Sequence, residues 1–136
     1  APFYADYGNN IYFGNNCEVN MNCTFLDDNR IVIGDKALIA PNVQIYTAFH
    51  PTSAAERFGP PREDGSFAFC KTQTAPVIIG DNVWTGGGAV LLPGVTIGSN
   101  TVIGRRTLSH NQFPEGLPVK ARKYSLSNVL SSCCCD

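Results

Sequence analysis

The stretch Ile79–Gly104, IGDNVWTGGGAVLLPGVTIGSNTVIG, decides the fold. Its Ile79, Thr85, Leu91, Ile97 and Ile103 stand six residues apart, four of them followed by Gly and one by Leu. An amphipathic helix would space apolar residues by three and four, and a half-buried strand would alternate. A period of six means a short flat strand plus a turn, which is the repeat of a parallel β-helix. Working outward, the beat recurs upstream as Phe13-Gly14, Val19-Asn20 and Phe25-Leu26. After a two-residue slip it continues as Ile33-Gly34, Ile39-Ala40 and Ile45-Tyr46.

Four positions after these leads come small or β-branched residues: Cys17, Cys23, Ala37, Val43, Val83, Ala89, Val95 and Thr101. Both positions face the inside of a narrow coil, where stacked side chains fill space without voids. Between them lie turn formers such as Gly14-Asn15-Asn16, Gly80-Asp81-Asn82 and Gly98-Ser99-Asn100. Gly and Asn tolerate the positive φ of tight corners. Three hexads make one triangular coil, and stacked coils bury one apolar column. The fold class is therefore all-β, a parallel β-helix of hexapeptide repeats with one long protruding loop.

That loop is where the beat stops, after Ala48, before resuming near Val77. Residues 49–76 hold His50-Pro51, Gly59-Pro60-Pro61 and Glu63-Asp64-Gly65, turn signals with no apolar period. A loop this long inside a compact domain is functional or disordered. The chain divides into a lead-in (1–10), coils (11–48), the loop (49–76), further coils (77–112) and a divergent tail (113–136). Its start, Ala1-Pro2-Phe3, reads as trimmed or truncated.

The 136 residues are 43% hydrophobic with a net charge of −1, one domain with a modest core. That charge gives no reason to expect nucleic acid or an anionic membrane as partner. No run approaches the ~20 apolar residues of a membrane span, and no secretion signal is visible. The six cysteines form neither a disulfide framework nor zinc-site pairs. Cys17 and Cys23 act as small apolar fillers. Cys133, Cys134 and Cys135 end the chain, read either as a frayed tail or as a metal- or oxidant-reactive cluster. A reducing cytoplasm suits all six.

Pro2–Gly8 (PFYADYG), Asn20–Cys23, Leu26–Asp28, Ile45–Pro51 (IYTAFHP) and Ile79–Trp84 together resemble the maltose and galactoside O-acetyltransferases, members of the hexapeptide-repeat acyltransferases. The resemblance spans about Ala1 to Gly104. It implies a left-handed β-helix, an exception to right-handed crossovers, and a homotrimer with active sites between subunits. It also implies acetyl-CoA as co-substrate, a small hydroxyl acceptor and no required metal.

By the same resemblance His50 is the general base, taking the acceptor's proton as its oxygen attacks the thioester. An imidazole suits that step, although a loop-edge histidine needs no such role. Asn20 and Asp28 would bind acceptor hydroxyls, where the plain readings are corner and turn residues. Trp84 should point outward, either as a sugar platform or as packing against a neighbouring subunit. Gly86 and Gly87 would let the pantetheine arm approach, with an amide near Gly86 for the oxyanion, or they are simple corner glycines. Gly104 is a further cofactor-binding candidate, and the basic Arg105, Arg106, Lys120, Arg122 and Lys123 would hold the coenzyme's phosphates by their chemistry. A solvated basic end is the alternative.

The chain departs from the family after Gly104. His110-Asn111 stand where a Thr-Lys pair is expected, and no Gly-Asn-Pro follows Gly116. Three classes follow. The first is an acetyl-CoA-dependent O-acetyltransferase, with antibiotic and polysaccharide acceptors open beside sugars. The second is a catalytically impaired relative serving as a trimeric scaffold. The third, a zinc enzyme on the same helix, needs three histidines per site, and only His50 and His110 exist.

Overall fold

The computed structural model describes residues 2–66, 70–106 and 108–109. Fifteen short strands and one short helix make up that portion, and eleven parallel or antiparallel pairings tie them together. The first face of the prism stacks β1 (Tyr4–Ala5), β4 (Thr24–Leu26), β7 (Gln44–Tyr46), β12 (Val90–Leu91) and β15 (Leu108–Ser109). The second stacks β2 (Ile11–Phe13), β5 (Ile31–Ile33), β10 (Val77–Ile79) and β13 (Thr96–Ile97). The third stacks β3 (Glu18–Val19), β6 (Leu38–Ile39), β11 (Trp84–Thr85) and β14 (Val102–Ile103). All pairs within these faces are parallel, and the chain visits the faces in turn, which is a β-helix.

From Cys23 onward the column inside is the one the hexads predict, whereas the first leads fall short of it: Phe13 is exposed, and Val19 and Cys17 are only partly buried. Phe25, Ile33, Ile39, Ile45, Ile79, Leu91, Ile97 and Ile103 are buried, as are Cys23, Ala37, Val43, Val83, Ala89 and Val95. Thr85, the polar lead, is also buried, and its hydroxyl donates to the Leu38 carbonyl at 3.3 Å. Corners repeat as regularly. Asn16, Asn22, Asn42, Asn82 and Asn100 all take φ between 53° and 60°, and Lys36 and Arg106 adopt the same left-handed turn.

Between the second and third faces, side chains link successive coils along the axis. Asp35 Oδ1 accepts from the Asn15 amide, Asp81 Oδ1 from the Asp35 amide, and Ser99 Oγ from the Asp81 amide.

Among the described residues every departure from six sits on one edge, between the first and second faces. Eight residues separate Ala5 from Phe13 and Phe25 from Ile33, thirty-four separate Ile45 from Ile79, and six separate Leu91 from Ile97. We call this the loop edge. The lead-in residues already contain β1, paired with β4. Here a small Ala5 occupies the lead position, so the beat is faint in sequence. On the long excursion, β8 (Ala48–Phe49) and β9 (Gln73–Thr74) pair antiparallel, and α1 (Ala54–Phe58) lies between them. Among the described residues no helix is long and apolar enough to cross a membrane.

Candidate functional site

Extra residues on the loop edge must satisfy their own backbone groups, and two buried polar side chains do it. Asp27 is fully buried. Its carboxylate accepts from the amides of Tyr7 (2.8 Å), Gly8 (3.1 Å) and Asn10 (3.1 Å), while its carbonyl accepts from Asn10 Nδ2 (2.7 Å). Burial pushes this carboxyl up, but the three amides outweigh it and hold the group below its ordinary value. One coil on, the Thr47 hydroxyl donates to the Leu26 carbonyl at 2.7 Å and accepts from the Asn29 amide at 2.8 Å. Asn29 Nδ2 then reaches Thr74 Oγ1 at 3.0 Å, and the Ala75 amide donates to the Thr47 carbonyl at 2.9 Å. These bonds fasten the excursion's return strand to the column.

His50 follows β8 and is exposed, beside a buried Pro51. Across the strand pair its Nδ1 lies 3.0 Å from the Lys71 carbonyl oxygen. A carbonyl only accepts, so Nδ1 carries a hydrogen, and in the neutral ring the lone pair then sits on Nε2. Thr72 Oγ1 stands 3.5 Å from Nδ1. Cys70 Sγ lies 3.7 Å from Nδ1 and 3.9 Å from Nε2. The motif puts no nucleophile next to His50; the strand pairing does. Its only sequence signal is that Cys70 precedes the restart of the beat.

The remaining expected residues divide between two edges. Asp28 shares the loop edge with His50, one coil away, and is half-exposed. Its carboxylate makes no hydrogen bond among the described residues. Asn20, Gly86, Gly87, Gly104, Arg105 and Arg106 lie on the edge between the third and first faces, here the closing edge. Asn20 Oδ1 accepts from the Met21 amide at 2.8 Å. Trp84 points outward from the third face, 45% exposed, in register with Leu38 and Val102. A single chain therefore does not bring His50 and these residues into one pocket.

At Gly86 the missing side chain has a structural cause. A Cβ there would meet the Arg105 nitrogen at 2.7 Å and the Ile103 oxygen at 2.9 Å. Its amide donates to the Ile103 carbonyl at 2.8 Å, and that of Gly88 to Pro41 at 3.0 Å. The amide of Gly86 itself is thus engaged in coil stacking. Gly87 is roomier, with Pro41 oxygen 3.4 Å from a would-be Cβ. Gly104, Arg105 and Arg106 are exposed at the top of this edge. Among the described residues no three His, Cys, Asp or Glu side chains gather to hold a metal. His110, Asn111, Gly116, Lys120, Arg122, Lys123 and Cys133–Cys135 lie outside the described residues.

Comparison with known proteins gives one consistent answer. Residues 76–107 match the family described as bacterial transferase hexapeptide (six repeats). A putative acetyltransferase of Saccharomyces cerevisiae is 46% identical over 116 residues, 85% of this chain and 54% of the relative. The crystal structure of a maltose O-acetyltransferase from Clostridium difficile 630 superposes with a TM-score of 0.69 at 45% identity, covering 83% of this chain and 55% of that one. Galactoside acetyltransferase in complex with coenzyme A superposes at 0.70 with 38% identity, covering 84% and 52%. The chain spans about half the length of the curated relatives it matches. Its coils form the left-handed parallel β-helix of these neighbours.

Proposed function

The chain belongs to the hexapeptide-repeat acyltransferases, and on that premise we propose that it moves an acetyl group from acetyl-CoA to a hydroxyl of a sugar or similar small acceptor. The observation that carries this reading is the bond from His50 Nδ1 to the Lys71 carbonyl, which leaves Nε2 exposed as a proton acceptor. His50 takes the hydroxyl proton while the oxygen bonds to the acetyl carbon, and the coenzyme leaves as its thiolate. Transfer is direct, and one well-placed base contributes about 10²–10⁴-fold.

The division of residues between two edges supports a homotrimer. In a head-to-tail ring the loop edge of one subunit meets the closing edge of the next. The excursion 49–76 then walls the cleft. Asn20, Asp28 and Trp84 contact the acceptor. Gly87 gives the pantetheine arm room, and Gly104, Arg105 and Arg106 suit the coenzyme's backbone approach and phosphates, since guanidinium forks match phosphate oxygens. The three described cysteines are unpaired, which suits a reducing cytoplasm.

The test is turnover of acetyl-CoA with mass detection of acetylated maltose, a galactoside or chloramphenicol. His50→Ala should lower turnover about a hundredfold or more and leave acetyl-CoA affinity within about twofold. A mutant that turns over normally sinks the assignment of His50. Absence of both product and coenzyme binding in the wild type sinks the enzyme reading in favour of a scaffold.

A further inference from the structure

The thiol beside His50 is chemically unlike the other two described cysteines. Cys17 donates its S–H to the Gly34 carbonyl at 3.0 Å and Cys23 to the Ala40 carbonyl at 3.2 Å. Cys23 is fully buried, and burial pushes its thiol up despite the neighbouring amides of Val43 and Asn42. A buried sulfur such as that of Cys23 is inert, and that of Cys17 is turned to a carbonyl rather than to a base.

Cys70 is half-buried, and its Sγ faces a base instead of a carbonyl. His50 Nδ1 is committed to Lys71, so Nε2, 3.9 Å from Sγ, is the atom able to take the thiol proton. The two side chains form a Cys–His pair, held together by the β8–β9 pairing on either side of the excursion.

The geometry points to Cys70 as a modification site: exchange with a low-molecular-weight disulfide, which closes the His50 centre. This rests on the reading of His50 as the base and extends it to regulation. In the exchange His50 Nε2 takes the Cys70 proton and the sulfur attacks one sulfur of the disulfide. The S–S bond breaks, and the departing thiolate recovers the proton from His50. Cys70 is oxidised to a mixed disulfide while half of the reagent is reduced to a thiol. The attached group is then joined to a sulfur 3.9 Å from Nε2 and excludes the acceptor hydroxyl. Coenzyme A disulfide and glutathione disulfide share the required chemistry. The first is also delivered by any coenzyme site.

The experiment uses the full chain with Cys133, Cys134 and Cys135 replaced by Ser, so that tail thiols do not compete. It is incubated with each disulfide separately and followed by peptide mapping and acetyl transfer. Cys70 should be modified about tenfold faster than Cys17 or Cys23, transfer should fall at least as much, and a thiol reductant should restore it. Cys70→Ser should keep its turnover under the same treatment. His50→Ala should slow modification of Cys70 about fivefold or more, a readout that needs no acetyl transfer.

Faster labelling by coenzyme A disulfide names the coenzyme as the source, and equal rates name solvent disulfides at large. Labelling of Cys70 no faster than Cys17, or equal inactivation of Cys70→Ser, overturns the inference. A reduced wild type without acetyl transfer instead overturns the proposed function, and the labelling rates still judge Cys70.

Discussion

Replacing Asp27 should cost more stability than any other polar substitution on the loop edge. The carboxylate is fully buried and accepts three backbone amides, one on Oδ2 and two on Oδ1. Hydrogen bonds to a charged group contribute about 1.5–3 kcal/mol each. Tyr7 and Gly8 are exposed, so water replaces part of what their amides lose. We therefore expect Asp27→Ala to lose on the order of 3 kcal/mol rather than the full sum. Asp27→Asn should lose roughly 2 kcal/mol, because its amide nitrogen would face the Asn10 amide, donor against donor.

In a domain of this size a 3 kcal/mol loss corresponds to a melting point lower by roughly 10 °C. The pH dependence gives an independent check. The folded carboxyl lies below its ordinary 3.8, so its stabilisation is complete above that value and is lost as pH falls through the lower folded value. Urea unfolding of wild type should thus weaken from about pH 4 downward, with a shallower decline in Asp27→Asn. A loss under about 1 kcal/mol for Asp27→Ala, or an unchanged acid limb in Asp27→Asn, would refute the hub role.

Gly86→Ala sets a Cβ against backbone atoms of Arg105 and Ile103 that cannot swing aside, so the coils must separate. A loss of about 1–3 kcal/mol in urea is expected, and Gly87→Ala, with its nearest atom at 3.4 Å, should cost less than half as much. Trp84→Glu places a charge on the outward stripe of Leu38, Trp84 and Val102. If that face packs against a second subunit, sedimentation should show dissociation at concentrations about tenfold or more above wild type; an unchanged assembly removes this face from the interface.

The column was legible because it is one-dimensional. Each hexad repeats the same two inward positions, so Ile79, Thr85, Leu91, Ile97 and Ile103 announce the fold without any knowledge of what they touch. Ala5 was harder, since a small lead on the terminal coil carries little apolar signal. The site is not periodic, and its legibility stops where pairing between distant segments begins.

Two adjacent acids, Asp27 and Asp28, show the difference. The resemblance selects Asp28, whereas the backbone of the preceding coil turns inward on Asp27, a contact seventeen to twenty residues away in sequence. Cys70 is a sharper case: only the antiparallel pairing of Ala48 with Thr74 and Phe49 with Gln73 brings its sulfur to His50.

The slip at Asp28 and the excursion at His50 look like unrelated breaks in the beat, yet both fall between the first and second faces. Among the described residues, the one edge with extra residues is also the edge that carries His50. An edge where coils need not match in length can gain a loop without disturbing the buried column. That is a physical reason for a loop to be inserted there rather than at the closing edge, where Gly86 leaves no room for a methyl group.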